Sequence, residues 1–95
     1  MTTYIILSCF SPTAFDNPRH FPELAERVSK KIKQECPGVR WKDSFETLGR
    51  FDVDIVEADD PTEIEKAAMT IKAYGHSATE TLIGTPWKEF LPGLR

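Results

Sequence analysis

The sequence contains little that would direct it to a membrane or build a disulfide framework. Its two cysteines, Cys9 and Cys36, are too few for a disulfide-rich fold and do not have a metal-ligand spacing, so we interpret both as buried thiols. The apolar run over residues 4–10 follows no basic residue and is far shorter than a membrane span. We therefore expect neither a signal peptide nor a membrane anchor, and reduced thiols without a targeting signal favour the cytoplasm.

The sequence also lacks an excess of positive charge. Its formal net charge of −3 and its isoelectric point near 5.3 give no general attraction to nucleic acids or anionic membranes. The basic residues Arg27, Lys30, Lys31 and Lys33 lie close together on the first predicted helix. We interpret them as a solvated helix face, and the alternative of RNA binding would require salt-sensitive association.

Familiar catalytic and cofactor motifs are missing. The sequence has no recognisable Ser/His/Asp arrangement, no glycine-rich phosphate loop and no Cys/His pattern for a metal. We therefore predict no cofactor and no metal site, and the motifs leave the question of enzymatic activity open.

Residues 47–57 are the most informative part of what is present. A glycine is followed by strict alternation of apolar and acidic residues, which predicts a hairpin turn and then a strand with one buried face. We expect Gly49 to use the positive φ that glycine tolerates. The buried face is expected to hold Phe51, Val53 and Ile55, and the other face Asp52 and Asp54.

The order of the predicted elements indicates the fold. Strands are predicted over residues 3–10, 39–48, 51–58 and 76–84, and helices over residues 21–36 and 61–75. This βαββαβ order is the ferredoxin-like arrangement of an α+β domain, in which right-handed crossovers place both helices on one face of a four-stranded antiparallel sheet of order 4-1-3-2. Residues 1–95 are expected to form a single domain.

The sheet face opposite the helices predicts self-association. Residues 3–10 are apolar at both odd and even positions, as in a strand that is covered on both faces. A monomer would leave one face bare, so we predict a homodimer that packs sheet against sheet as a dimeric α+β barrel. Residues 85–95 form a short helical tail whose Trp87, Phe90 and Leu91 must dock either on their own sheet or on a partner.

Several segments carry a resemblance to a known family. These are Thr3-Tyr4-Ile5-Ile6-Leu7, Leu48-Gly49-Arg50-Phe51-Asp52-Val53, Glu57-Ala58-Asp59-Asp60 and Thr79-Glu80-Thr81-Leu82. In these segments the chain resembles the GYD-domain family, although Phe51 replaces the tyrosine of the family's name and the proline-rich residues 11–22 depart from the usual pattern. The resemblance implies a ferredoxin-like dimeric α+β barrel, of a kind found mostly in bacteria, with no established biochemical activity.

Acidic residues and one histidine form the first candidate site. His76 and Glu80 are four residues apart in a predicted strand and share a face, as do Asp52 and Asp54 in the preceding one. If the two faces coincide, the cluster could bind a cation or hold a carboxyl group with a raised pKa. The alternative is a set of surface or interface charges that are satisfied locally.

Aromatic residues form the second candidate site. Tyr4, Phe10, Trp41 and Phe45 could line a pocket for a flat ligand, although aromatic residues at strand spacing are more often part of a core or an interface. His20, next to Phe21, could contact a ligand in such a pocket or coordinate the iron of a haem as its axial ligand. A single loop histidine is more typical of the surface.

Two hypotheses of different classes follow. The first is a binding or assembly module that holds a small molecule or another protein and performs no bond chemistry. The alternative is a cofactor-independent monooxygenase or isomerase of dimeric α+β barrel type, acting on a small aromatic or carbonyl compound. An apolar pocket that contains His76, Glu80 or His20 would favour the enzyme, and a filled core would favour the module.

Overall fold

The computed structural model describes residues 1–11, 16–75 and 78–94, and it has the predicted α+β architecture. In chain order, the elements are β1 (Thr2–Cys9), a 3-10 helix (Pro18–His20), α1 (Phe21–Glu35), β2 (Arg40–Phe45), β3 (Asp52–Ala58), α2 (Pro61–Gly75), β4 (Ala78–Gly84), α3 (Trp87–Phe90) and a final 3-10 helix (Leu91–Leu94). The four strands form one antiparallel sheet in the order β2-β3-β1-β4, which confirms the predicted topology.

Local signals explain where the two long helices begin. Asn17 accepts a hydrogen bond from the Arg19 backbone N–H at 2.9 Å in the preceding 3-10 turn, and α1 begins at Phe21 with a proline at its second position. For α2, the Asp60 carboxylate accepts a hydrogen bond from the Thr62 N–H at 2.9 Å, directly before Pro61 in the first helical position. Both starts agree with the sequence prediction.

The core lies between α1, α2 and the helix-facing side of the sheet. Tyr4 and Ile6 of β1 and Val56 and Ala58 of β3 point toward the helices and are buried. They pack with a group of buried helix residues and with the residue that follows α1: Ile32, Cys36, Ile64, Ala67 and Ile71. Burial of these side chains supplies the main free energy of folding.

The side of β3 that faces the helices differs from the prediction. Val53 and Ile55 pair with Leu7 and Ile5 on the open face of the sheet, where they are only half-buried in the single chain. Asp52 and Asp54 instead share the helix-facing side with the fully buried Val56 and Ala58. The prediction that Phe51, Val53 and Ile55 form the buried face of this strand is therefore wrong for the single chain, because Val56 and Ala58 in the second half of the strand determine which side meets the helices.

Two further details of the β2–β3 hairpin depart from expectation. The register of β2 shifts between Trp41 and Asp43, so a bulge breaks the simple alternation and shortens the strand to Arg40–Phe45. The turn is held by the Thr47 side chain, which donates a hydrogen bond to the Phe51 carbonyl oxygen at 2.5 Å. Gly49 does not use a left-handed φ, contrary to the prediction.

The open face of the sheet and the C-terminal tail remain uncovered. The open face carries Ile5, Leu7, Val53 and Ile55, which are half-buried, and Leu82, which is 43% exposed. Cys9 is also only half-buried, so the prediction of two buried thiols holds for Cys36 alone. In the tail, α3 and the final 3-10 helix pack against each other and against no other helix or strand of the described chain.

No helix within the described ranges has both the length and the apolar composition needed to cross a membrane.

Candidate functional site

A cavity of about 420 Å³ lies between α1 and the β2–β3 side of the sheet. It forms because the backbone of α2 lies close to β1, β3 and β4, whereas that of α1 lies close to α2 but not to any strand. The apolar wall of the cavity consists of Phe10, Phe21, Leu24, Ala25, Val28, Ile32, Val39 and Ile71. A volume of this size is within the range of small-molecule pockets.

The polar floor of the cavity comes from the three strands beneath α1. Ser8 of β1 lies opposite Asp52 of β3 and is only 2% exposed, and its Oγ has no hydrogen-bond partner among the described residues. The next carboxylate of β3, that of Asp54, accepts a hydrogen bond from the Ser44 hydroxyl at 2.6 Å. The Ser44 oxygen in turn accepts one from the Trp41 indole N–H at 2.8 Å, a contact that the bulge in β2 makes possible.

The carboxyl groups on this floor have perturbed proton affinities. Burial raises the pKa of Asp52 to about 6, and a hydrogen bond with Glu46 together with the negative charges of Glu46 and Asp54 contributes further. Burial also raises the pKa of Asp54, and its hydrogen bonds with Ser44 and Trp41 oppose that shift. Asp52 therefore takes up a proton in mildly acidic solution, next to the Glu46 and Asp54 carboxyl groups.

Within the described ranges, no lysine or arginine forms an ion pair with these three carboxyl groups. Lys33 of α1 lines the cavity. Arg50 lines an adjoining cavity of about 350 Å³, which shares Ser8, Glu46 and Asp52 with the first, but its guanidinium lies over the Phe51 ring at 5.5 Å from the centroid. The described residues contain no group of three histidine, cysteine or acidic side chains placed to hold a metal ion.

The structure brings together only part of the predicted acidic cluster. Asp52 and Asp54 line the cavity, whereas Glu80 pairs with Leu7 and therefore lies on the opposite, open face of the sheet. The two faces do not coincide, so the condition for a joint site is not met. His76 lies outside the described residues.

The aromatic candidates are also divided. Phe10, Trp41 and Phe45 line the cavity. Tyr4 belongs to the packed core and does not line the cavity, in agreement with the alternative interpretation of aromatic residues at strand spacing. His20 is exposed, and its Nδ1 lies 2.5 Å from an Asp16 carboxylate oxygen in the same surface turn.

Three polar residues on the floor of the cavity were not predicted. Glu46 lies beyond the end of β2, and Ser44 reaches this side of the sheet only because of the bulge. Ser8 could have been found, because it is a polar residue within an otherwise apolar strand and shares its parity with Tyr4 and Ile6. A hydroxyl at such a position needs a partner.

The sequence of residues 4–92 matches the GYD domain family. The match covers nearly the whole described fold, including both long helices and every residue that lines the cavity. The chain belongs to the GYD domain family. The resemblance predicted from short segments is thereby confirmed.

Two similar proteins put this GYD domain in context. A protein of Thermus thermophilus, named glutamine synthetase and cystathionine beta-lyase binding protein, is 27% identical over 96 residues, with both chains covered completely. Among solved structures, the de novo designed protein Foldit4 superposes with a TM-score of 0.50 at 18% identity, over 90% of this chain and 96% of its own. This second similarity concerns the fold alone.

Proposed function

We propose that this GYD domain is a binding and assembly module that acts as a homodimer and performs no bond chemistry. The observation that carries the proposal is the open face of the sheet. Ile5 pairs with both Ile55 and Leu82 across three adjacent strands, so large apolar side chains form a continuous patch on the side without helices. Exposed patches of this kind are typical of protein interfaces.

A second copy is the occupant that fits this patch best. An antiparallel sheet face can pack on an identical face about a two-fold axis. The dimer then buries the same apolar residues of both copies. An interface of standard size, about 1,600 Å² in total, would cover the face with apolar burial of about 25 cal/mol per Å². The fold would thereby become a dimeric α+β barrel.

Two adjacent residues of β4 allow a matched test. Leu82 lies on the open face and is 43% exposed, and Ile83 lies on the opposite face and is 72% exposed. Both are exposed in the single chain, so a lysine at either position should leave the protomer folded. Leu82→Lys would place one charge from each copy in the interface, whereas Ile83→Lys would place both outside it.

We expect wild-type protein and the Ile83→Lys variant to sediment as dimers at micromolar concentration, and Leu82→Lys to sediment as a folded monomer. Leu82 is 43% exposed in the single chain, so burial of the remaining surface of two such side chains corresponds to about 1–3 kcal/mol, or roughly fivefold to a hundredfold in the dissociation constant. A monomeric wild-type protein, or dissociation by both variants alike, would refute the sheet-face interface. Circular dichroism verifies the fold of each variant.

We further propose that the C-terminal tail contacts a protein partner. Trp87 is 70% and Phe90 45% exposed, and their rings pack edge to face at 5.8 Å between centroids. Among the described helices and strands, the backbone of their helix lies close only to the final 3-10 helix. Exposed aromatic residues are frequent anchors in protein interfaces. The relative from Thermus thermophilus is named for binding glutamine synthetase and cystathionine beta-lyase, which supports an enzyme as partner.

The test uses purified glutamine synthetase and cystathionine beta-lyase from the same host. We expect either enzyme to bind the wild-type dimer in a surface plasmon resonance experiment, and Trp87→Ala to weaken binding by about 2 kcal/mol or more. Met69→Ala is a matched control, because Met69 is also an exposed apolar residue, 63% exposed, but lies on α2. Equal losses in both variants would contradict a role of the tail.

The cavity supports a second candidate function, an isomerase. Asp52 lies beside Glu46 within a largely apolar pocket, and a carboxyl group with a pKa of about 6 can accept and return a proton near neutral pH. The test is deuterium exchange from solvent into the carbon next to the carbonyl of a small aryl ketone. Exchange that requires the protein and is lost in Asp52→Asn would support the isomerase over the module.

A further inference from the structure

We propose that the cavity beneath α1 binds a small organic amine as its ammonium ion, with the apolar part of the molecule lying against α1. The inference rests on three features of this cavity: its apolar wall, a buried hydroxyl without a partner among the described residues, and a group of carboxyls that form no ion pair with a described lysine or arginine. It concerns the helix-facing side of the sheet. It therefore does not depend on the dimer or on the tail.

The shape and lining of the cavity select an apolar body. Phe21, Leu24, Val28 and Ile32 come from successive turns of α1 and form a continuous wall opposite the strands. The cavity volume of about 420 Å³ accommodates a molecule with one aromatic ring and a short chain. Burial of such a body in this cavity is favourable, but it does not distinguish one apolar compound from another.

Ser8 indicates that a polar group of the ligand reaches the floor. Its hydroxyl is buried and has no partner among the described residues, although nearly all buried polar groups in proteins have one. The hydroxyl oxygen accepts hydrogen bonds, so an N–H donor in the cavity would satisfy it. The position of Ser8 opposite Asp52 places this acceptor beside the carboxyl groups.

The carboxyl groups determine the charge of the ligand. Asp52, Asp54 and Glu46 line one cavity, and no described lysine or arginine forms an ion pair with them. An ammonium group carries three N–H donors and one positive charge, so it can bond to Ser8 Oγ and to the Asp52 and Glu46 carboxyls at the same time. A neutral alcohol would satisfy Ser8 but leave the repulsion between carboxylates, and an anion would increase it.

A set of matched probes tests the charge. Phenethylamine, 2-phenylethanol and 3-phenylpropionate share an aromatic ring and a two-carbon chain and differ in the charge of the polar group. We expect phenethylamine to bind the wild-type protein about tenfold to a hundredfold more tightly than 2-phenylethanol in isothermal titration calorimetry, since hydrogen bonds to charged groups are the stronger kind. 3-Phenylpropionate should bind most weakly.

Variants locate the binding to the cavity. Asp52→Asn should weaken phenethylamine binding at least about tenfold, and Ser8→Ala about threefold to tenfold. Asp59→Asn is the control, because Asp59 follows β3 directly and the substitution removes the same charge, but its side chain is 82% exposed. Chemical shift changes in the amide spectrum should concentrate on α1, β1 and β3.

The pH dependence gives a readout that a purely structural role of Asp52 would not produce. The amine stays protonated between about pH 5 and about pH 8, so its affinity should fall as Asp52 takes up a proton below about pH 6. The charged groups around Asp52 are Glu46 and Asp54 on the strand side, Lys33 on α1 in the same cavity, and Arg50 in the adjoining cavity. Affinity for 2-phenylethanol should change much less over the same range.

Three results would overturn the inference. These are equal affinity for the amine and the alcohol, loss of amine binding in Asp59→Asn to the same extent as in Asp52→Asn, and no binding of any probe at millimolar concentration. Because sedimentation and partner binding are measured separately, these outcomes leave the homodimer proposal untouched. A dimer that does not bind the amine would contradict only this inference, and a monomer that binds the amine would contradict only the homodimer proposal.

Discussion

Replacement of Asp52 by asparagine is expected to stabilise the protein at neutral pH. In the folded state Asp52 lies beside Glu46 and Asp54 in a partly buried site, and its ionised form is therefore less favourable than in the unfolded chain. Asparagine has nearly the same shape, carries no charge and can donate a hydrogen bond to the Glu46 carboxylate. The substitution removes the electrostatic cost and keeps the packing.

The magnitude follows from the shift in pKa. The pKa rises from 3.8 to about 6 on folding, and at about 1.4 kcal/mol per unit this corresponds to an upper limit of about 3 kcal/mol. Asp52 remains partly accessible to water, which screens the charges, so we expect a gain of about 1–2 kcal/mol at neutral pH. For a domain of this length, the midpoint of thermal unfolding would rise by roughly 4–8 °C for each kcal/mol.

The sign of the pH dependence is a stringent part of this prediction. An acid whose pKa is raised on folding binds more protons in the folded state, so its contribution lowers stability as pH increases from about 4 to about 6. The stability difference between Asp52→Asn and the wild-type protein should be near zero below about pH 4, increase between the two values and remain constant above about pH 6.

The assay is urea unfolding at several pH values and at one protomer concentration, because dimerisation would otherwise contribute to the measured free energy. The carboxylate of Asp59 is exposed, so the stability difference between Asp59→Asn and the wild-type protein should not follow this pH dependence. If Asp52→Asn is less stable than the wild-type protein at neutral pH, or if its advantage is the same at every pH, the electrostatic description of the cavity is incorrect.

Three further predictions concern stability. Thr47→Val removes the hydroxyl that bonds to the Phe51 carbonyl oxygen, and urea unfolding should show a loss of about 1 kcal/mol. Asp60→Ala removes the side-chain acceptor for the Thr62 N–H at the start of α2, which should cost about 1 kcal/mol in the same assay. Deletion of residues 86–95 in the monomeric Leu82→Lys variant should leave its free energy of unfolding unchanged within about 0.5 kcal/mol, because the backbones of the tail helices lie close to no other element of the described chain.

The elements that could be predicted from sequence are those whose signals are local. The start of α2 depends on Asp60 and Pro61, which act within one helical turn, and both lie where the sequence predicted them. The strand order followed from the order of elements and the handedness of crossovers, which require no knowledge of side-chain contacts. Neither the helix start nor the strand order required knowledge of contacts between side chains of different elements.

The features that could not be predicted depend on interactions between elements. The bulge in β2 places Trp41 and Asp43 on opposite faces of the sheet, where simple alternation would place both on the same face, and nothing in residues 40–45 marks its position. As a result Trp41 reaches Ser44, and Ser44 reaches Asp54, on the cavity side. The bulge in β2 therefore positions the Trp41–Ser44–Asp54 hydrogen bonds of the cavity.

The orientation of β3 shows how the cavity and the core depend on each other. Asp52 and Asp54 lie on the same face of β3 as Val56 and Ala58, because side chains alternate along a strand. The two apolar residues therefore cannot face the helices unless the two acidic residues also do. Complete burial of Val56 and Ala58 outweighs the partial burial of two carboxyl groups only if the carboxyls keep contact with polar groups or water. The distance between α1 and the strands provides that space, which is why the cavity lies over the acidic half of β3 and the packed core over its apolar half.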